Sequence, residues 1–392
     1  MTGLSKLLSA ALLAATASPA FAQSAPFENL SLYGHFSPAI VSFGDGEATY
    51  TGLADNSYSG GRVGLWYTLP GDRVQTRFNA ETSLGLRQSA SLSQDNVPPA
   101  INLNAATVRK LEMIIETDRA GSFSLGLGSM ASDGVAESDL SSTQLAAYVG
   151  ISDTAGGYDF RTGDGAISTV SVYDAFPTFD GGRAPRARWD SPDLSLHQYG
   201  TFNVAAALGI KLTDGVVVVN DSLADIGLFY RNSLGDFEVK TSFGTSLARS
   251  ETDTAPQAAG SASLLHAPSG WSLTAATGTR EGQGQYIYSK LGLTRRWSAW
   301  GDTAVSVDAY RGGNTVASGT RASSYGIGVV QDLDHLDLQF YLGLRRYEYS
   351  AGDAVTYRTS DSILFGTKWV FGKLTAPVLS TRKTDADWSE SD

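Results

Sequence analysis

The alternation of side chains along short segments constrains this chain more than any other feature. Residues 61–69 place Val63, Leu65, Tyr67 and Leu69 on one face, with Arg62, Gly64 and Trp66 on the other. After a tight turn at Pro70-Gly71-Asp72, residues 73–82 place Val74, Thr76, Phe78 and Ala80 opposite Gln75, Arg77, Asn79 and Glu81. A period of two is that of a β-strand whose faces meet different media. The pattern recurs to the end of the chain. It predicts strands at 31–43, 61–69, 73–82, 106–117, 121–128, 185–191, 195–211 and 223–232, then at 236–249, 259–267, 270–279, 286–296, 300–311, 321–331, 336–348 and 359–371. Short connections (118–121, 192–193, 232–236, 268–270, 332–335) alternate with longer ones (87–105, 129–184, 213–220, 312–319, 350–358). An even strand number with short turns at one rim and long loops at the other predicts a sheet closed on itself.

The medium outside the sheet follows from what the chain lacks. Beyond its first residues there is no run of about 18 apolar residues, so no membrane helix is available. The chain has 0 Cys and therefore no disulfide staples; closure has to come from backbone pairing or a large core. A barrel can span a bilayer with only alternate side chains apolar, because every backbone group is paired between strands. A soluble β-sandwich would use the same alternation with the apolar face turned inward. The aromatic residues separate the two. Tyr67, Phe123, Trp189, Tyr230, Phe237, Trp271, Trp297 and Trp300 lie within a few residues of predicted short turns, and Trp369 and Phe371 close the last strand. Such a cluster at one set of strand ends is the girdle of a membrane interface. The expected fold is all-β, a transmembrane antiparallel β-barrel of about 16 strands.

The ends and the charge complete this outline. Residues 1–22 combine Lys6, the apolar run LLSAALLAATA and Ala20-Phe21-Ala22, the pattern of a cleaved signal peptide. The alternative is a short amphipathic helix. Residues 23–371 then form one barrel domain, and residues 372–392, polar and interrupted by Pro377, read as a flexible periplasmic tail. The formal net charge of −11 speaks against nucleic acid or anionic lipid as a partner held through a basic patch. It is compatible with a passage that prefers cations.

Three stretches carry a family resemblance: LYGHFSPAIVSFGDG at the first strand, SYSGGRVGLWY at the second, and GSFSLGLGSMASDGVAESDLSST running from the fifth strand into a long loop. The closing DSILFGTKWVF adds alternate apolar residues ending on an aromatic. Together, in this order, they resemble the Gram-negative trimeric porins, especially those of alphaproteobacteria. The resemblance implies a sixteen-stranded outer-membrane barrel that passes ions and small hydrophilic solutes by passive diffusion. It further implies a homotrimer, contact with outer-membrane lipid and lipopolysaccharide, recognition by the barrel-assembly machinery, and a long third loop folded into the lumen. The family pattern ends at a terminal aromatic; here residues 372–392 follow it, which leaves open how assembly is signalled.

That loop is where function is expected. After Phe123, Leu125 and Leu127 the alternation stops, and no convincing strand follows until about Pro185. A connection longer than about 15 residues is functional or disordered. A loop of this size can enter a barrel mouth and set its width. Asp133, Glu137 and Asp139 are the expected acidic side of a constriction. Parity selects Arg62, Arg77, Lys110, Arg186 and Arg188 as the basic side on the wall. Opposed charges at a partly desolvated neck give a transverse field. Further along the loop, Asp153, Asp159 and Asp164 offer oxygen ligands that suit Ca²⁺, though their spacing matches no defined calcium loop. No other cofactor is implied. Gly126-x-Gly128-x-x-Ala131 is not followed by a helix or a βαβ unit, which dismisses a dinucleotide site. His35, His197, His266 and His335 are scattered, and no nucleophile elbow accompanies them, so an enzyme is not expected. Two rival readings stand beside a general porin: a substrate-selective porin, and a secreted soluble β-sandwich that binds ligands.

Overall fold

The computed structural model describes residues 29–213, 216–250, 254–352 and 355–372; the signal segment at 1–22 and the tail at 373–392 lie outside them. Sixteen barrel strands form one closed antiparallel sheet. The first, β1, is formed by Leu30–Phe36 and Pro38–Gly44, and β2 by Thr49–Asp55 and Arg62–Leu69. Next come β3 (Val74–Ser83), β4 (Val108–Thr117), β5 (Gly121–Ser129) and β6 (Arg183–Asp190). The middle strands are β7 (Thr201–Thr213), β8 (Val216–Leu234), β9 (Phe237–Arg249), β10 (Thr254–His266) and β11 (Trp271–Arg280). The wall ends with β12 (Gln285–Ser298), β13 (Gly301–Gly313), β14 (Arg321–Leu333), β15 (Leu338–Ser350) and β16 (Ser360–Phe371). Each strand pairs with the next, and β16 returns to β1 in the registers Val41↔Leu364 and His35↔Val370.

The side-chain parity read from the sequence is the parity of the wall. On β3, Gln75, Arg77, Asn79 and Glu81 are buried while Val74, Phe78 and Ala80 are exposed. Around the outside, Leu32, Leu53, Leu111, Leu125, Leu208, Phe243, Leu273, Ile287 and Ile363 are all exposed. An apolar surface that surrounds the whole molecule faces lipid, not water.

On β4 parity fails for a local reason. The β3–β4 register slips between Glu81 and Thr82, so Glu81 pairs with Lys110 while Thr82 pairs with Val108. This bulge leaves Arg109 unpaired in the ladder, and its guanidinium turns inward to Glu81 at 2.7 Å. A bulge re-aims a side chain in this way. Two connections also differ from expectation. The segment 213–220 is not a long loop: β7 and β8 run on until Thr213 pairs with Val216, the valines at 216–219 extending β8. The turn expected at Pro192-Asp193 is instead a ten-residue connection with a two-residue strand at Leu194–Ser195 and a 3-10 turn at His197–Tyr199.

Residues 130–182 fold back into the lumen. They include a 3-10 turn at Ile151–Asp153, a small hairpin of Asp159–Arg161 with Ile167–Ser171, and one helical turn, Val172–Ala175. Ser171 and Asp174 cap that turn reciprocally. The inner face of the wall is not uniformly polar beside this loop. Tyr286, Tyr288, Tyr310, Tyr341, Tyr347 and Tyr349 point inward and are buried. Phe176 of the loop packs edge-on to Tyr310 at 5.2 Å and Tyr347 at 5.7 Å. Tyr158 stacks on Phe43 at 4.3 Å, and Phe160 on Tyr349 at 5.4 Å. The barrel therefore contains an apolar core of its own, made by loop and wall together.

Removing the centre of that core should free the loop without dissolving the barrel. Phe176→Ala is expected to cost about 3–5 kcal/mol of loop packing. The variant should keep heat-modifiable migration on gels yet become cleavable within 150–180 by added protease. Resistance equal to that of the parent would contradict this account.

Candidate pore constriction

The loop packs against β8–β15 and, further along, against β1 through Tyr158 and Phe43. Its root is fixed first. The Asp225 carboxylate on β8 accepts hydrogen bonds from the Ala131 N–H (3.1 Å), the Ser132 N–H (2.7 Å) and the Ser132 hydroxyl (2.7 Å). Next, Ser242 and Ser261 on β9 and β10 donate to the Val135 carbonyl at 2.9 and 2.7 Å. Gly227 and Gly343 let the backbones meet, since a Cβ there would strike the carbonyl oxygens of Ala131 and Ala146.

Lys290 on β12 is the deepest anchor. Its ammonium pairs with the Asp139 carboxylate and donates to the Ala147 carbonyl at 2.6 Å, the Ser141 hydroxyl at 3.1 Å and the Thr143 hydroxyl at 3.2 Å. Asp139 accepts further bonds from the Ser141 N–H (2.8 Å) and the Thr274 hydroxyl (3.3 Å). This corrects the expectation for Asp139. It is sequestered between loop and wall, neutralised by Lys290, and holds the loop instead of facing solute. A buried pair with all its hydrogen bonds made is costly to break from one side.

Asp133 and Glu137 sit on the loop ahead of this anchor. Glu137 borders two cavities. One, of about 480 Å³, is also lined by Arg87, Arg109, Arg183, Asp153 and Tyr148. The other, of about 970 Å³, is lined by Arg231, Lys240, Lys368, Glu238 and Asp332 among others. Tyr58 borders both as well. Glu137 and Tyr58 are thus common to the lining of both spaces.

The expected basic side lies on β2–β6, and nearly all of it is embedded in ion pairs. Arg62 lies 3.8 Å from Glu81, which also pairs with Arg109. Arg77 pairs with Glu116 at 3.1 Å and lies over the Trp66 ring at 4.0 Å. Lys110 stands opposite Glu81 in the ladder. Arg186 pairs with Glu112 and donates to the Ser129 carbonyl at 3.0 Å. Arg188 pairs with Asp190 and donates to the Met130 carbonyl at 2.8 Å. Arg186 and Arg188 thus clamp the point where the loop leaves the wall, a structural task the parity argument did not foresee. Sequence reasoning also missed Arg109, Arg183, Lys290 and Asp225. Arg109 is hidden by the bulge, and the others need the path of the loop to be known.

The proposed calcium ligands are not brought together. Asp153 lines the smaller space, Asp159 stands beside Gln94, whose side chain accepts from its N–H at 3.0 Å, and Asp164 is bonded to the Thr162 hydroxyl at the hairpin tip. Burial, then the neighbouring Asp174 and Asp95, push the Asp159 carboxyl above its ordinary range. Among the described residues no group of three or more His, Asp or Glu side chains is arranged to hold a metal ion.

Two outcomes follow from the anchors. Asp139→Asn strands the Lys290 charge and should cost about 3–5 kcal/mol, whereas Asp139→Leu with Lys290→Met should cost less; urea midpoints in detergent compare them. The second concerns Asp45, after β1, which accepts from Arg161 of the loop at 2.7 and 3.0 Å. Burial works to raise the Asp45 carboxyl, but Arg161 and the Ala48 and Glu47 N–H groups outweigh it, and its pKa falls below the ordinary 3.8. A depressed carboxylate contributes stability at pH above 3.8 and loses it as pH falls below that value. Channel current noise should therefore rise only below about pH 4, and Asp45→Asn should show raised noise at neutral pH. Noise independent of both changes would contradict the tether.

Comparison with known proteins places this geometry. The family described as Gram-negative porin matches residues 9–352. No curated protein matches the chain by sequence. Among solved structures, the anion-selective porin from Comamonas acidovorans is similar at 15% identity and a TM-score of 0.56, covering 87% of this chain and 99% of its own. OprB of Pseudomonas putida is similar at 8% identity and 0.56, covering 88% and 94%. A trimer form of OmpT from Vibrio cholerae is similar at 14% identity and 0.50, covering 87% and 99%.

Proposed function

From the premise that the chain belongs to the Gram-negative porin family and is an outer-membrane channel, not an enzyme, we propose that ions and small hydrophilic solutes diffuse through it past Glu137. The observation that carries this reading is that Glu137 and Tyr58 line both spaces, with Arg109 and Arg183 lining one of them. A homotrimer is part of the proposal, supported by the resemblance in sequence and by the likeness to a porin with a trimer form.

The charge preference we propose is weak. The net charge is compatible with a cation preference, but of the three loop acids expected at the neck Asp139 is already paired with Lys290. Along the two spaces, leaving aside Arg109, which Glu81 pairs, Arg87, Arg183, Arg231, Lys240 and Lys368 stand against Glu137, Asp153, Glu238 and Asp332. Such a near balance, screened over about 8 Å at physiological salt, leaves selectivity to the few charges at the neck. A substrate-selective reading finds less support, because most inward-facing rings are buried under the loop.

Planar-bilayer recordings under a salt gradient test this. Glu137→Gln should shift the cation-to-anion permeability ratio toward anions by roughly twofold, the size expected of one partly screened charge at a neck. Arg109→Gln with Arg183→Gln should shift it the other way. Large conductance steps with no shift in either variant would place the filter elsewhere.

A further inference from the structure

The chain continues past the barrel, and its charges there are sorted. After Phe371 come Lys373, Arg382 and Lys383. The stretch 384–392 (TDADWSESD) then carries Asp385, Asp387, Glu390 and Asp392 and no base.

The structure shows where this stretch is rooted. Phe371 pairs with Gly34 at the foot of β1. Gly372 follows in the left-handed region at φ 65°. A Cβ there would strike the Leu32 carbonyl oxygen at 2.0 Å, so the bend that ends β16 needs glycine. Lys368, on the same strand, lines the cavity of about 970 Å³. The stretch therefore leaves the barrel at the mouth of that cavity.

Charge is distributed unevenly around the lumen. On the arc from β16 to β4, Lys368, Arg62, Arg109 and Lys110 form a registered track. His35 stands opposite Val370 on one side and Arg62 on the other, which makes Lys368 its diagonal neighbour. Arg62 lies 3.8 Å from Glu81, and Glu81 pairs with Arg109 at 2.7 Å and stands opposite Lys110. The acids beside this track are Glu81 and Asp55, which accepts from the Gly61 N–H at 2.6 Å. Four cations thus meet two acids. Elsewhere on the arc Arg77 is matched by Glu116 and Glu112 by Arg186. Across the cavity, Arg231 and Lys240 are balanced by Glu238 and Asp332. The surplus of positive charge lies on the arc where the acidic stretch is rooted, and low-dielectric walls focus its field.

We propose that the acidic stretch 384–392 occupies this cavity, its carboxylates along the track that begins at Lys368, as a tethered anion that competes with passing anions. A linker of about 13 residues, from Gly372 to Asp385, spans roughly 20 Å on average, enough to return to Lys368. Tethering at this range gives an effective concentration on the order of millimolar, so individually weak surface pairs suffice. The competition rests on the channel reading; the position of the stretch does not.

The chain has 0 Cys, so a pair of introduced thiols reports the contact in the refolded full chain. Ser389→Cys is combined with Gln339→Cys, which stands opposite Lys368 and lines the cavity. The comparison partner is Asp72→Cys, exposed in the β2–β3 turn and outside the cavity lining. Mild oxidation should link 389 to 339 within one chain roughly tenfold faster than 389 to 72, a contrast expected of a millimolar tether with a preferred side. In about 1 M salt, where screening acts within about 3 Å, most of that contrast should vanish. Neutralising the stretch (Asp385→Asn, Asp387→Asn, Glu390→Gln and Asp392→Asn together) should slow the first link by a similar factor, and Lys368→Gln should slow it in part. Heat-modifiable migration checks that each variant is folded. Equal rates at both positions, or a rate indifferent to the neutralised stretch, would overturn the proposal. A link between two chains would also overturn it, assigning the stretch to a neighbouring copy. In bilayers the neutralised stretch should shift the permeability ratio toward anions by roughly twofold; an unshifted ratio would overturn the competition. Folded protein that forms the link yet carries no current would refute the channel reading and leave the position of the stretch standing.

Discussion

A bilayer offers no water to a peptide group, and everything in this structure follows from that constraint. A strand that spans must pair on both edges, so the sheet has to close. Here closure is completed by β16 pairing with both halves of β1. Once closed, the sheet divides its side chains between two media by parity alone. That division gives an exposed apolar exterior around an interior of Gln, Asn, Glu, Arg and Ser.

Closure alone would leave an open tube. The loop at 130–182 narrows it, and the interactions that hold the loop have a gradient of character. Near the periplasmic side of the loop the contacts are polar: the Asp225 carboxylate, the serine hydroxyls of β9 and β10, and the Lys290–Asp139 pair. Further along they become apolar, through Tyr158 against Phe43 and Phe160 and Phe176 against wall tyrosines. The polar contacts fix position, since each demands a particular geometry. The aromatic contacts supply bulk burial. The two together hold the loop against β8–β15 and β1, with Glu137, in the proposed passage, bordering the space lined by Arg87, Arg109 and Arg183.

Much of this was legible in the sequence, and the exceptions have physical causes. All sixteen strands were visible because period-two alternation needs no knowledge of partners. The infolded loop was visible because its length and polarity break that alternation. Arg109 was hidden, because a single bulge after Glu81 reverses parity and makes an inward arginine look outward. Asp139 looked like a pore acid, because nothing local shows that Lys290, some 150 residues on, meets it. The inward tyrosines of β12–β15 sat at correctly assigned positions, yet alternation cannot tell a wet inner face from one covered by a loop. What failed were statements about which surfaces meet across the lumen, which depend on tertiary contact.

The central claim is that solute passes between Glu137 and the arginine side while the loop's other face is sealed. The chain has 0 Cys, so a single introduced thiol reports its own access to water. Conductance would be followed while a charged methanethiosulfonate is added to channels carrying Glu137→Cys, Arg109→Cys or, as the sealed control, Val149→Cys. The account predicts abrupt steps down in current for the first two and none for the third, since Val149 is 2% exposed between loop and wall. Rapid modification at Val149 with no effect at Glu137 would mean that the passage runs on the other side of the loop.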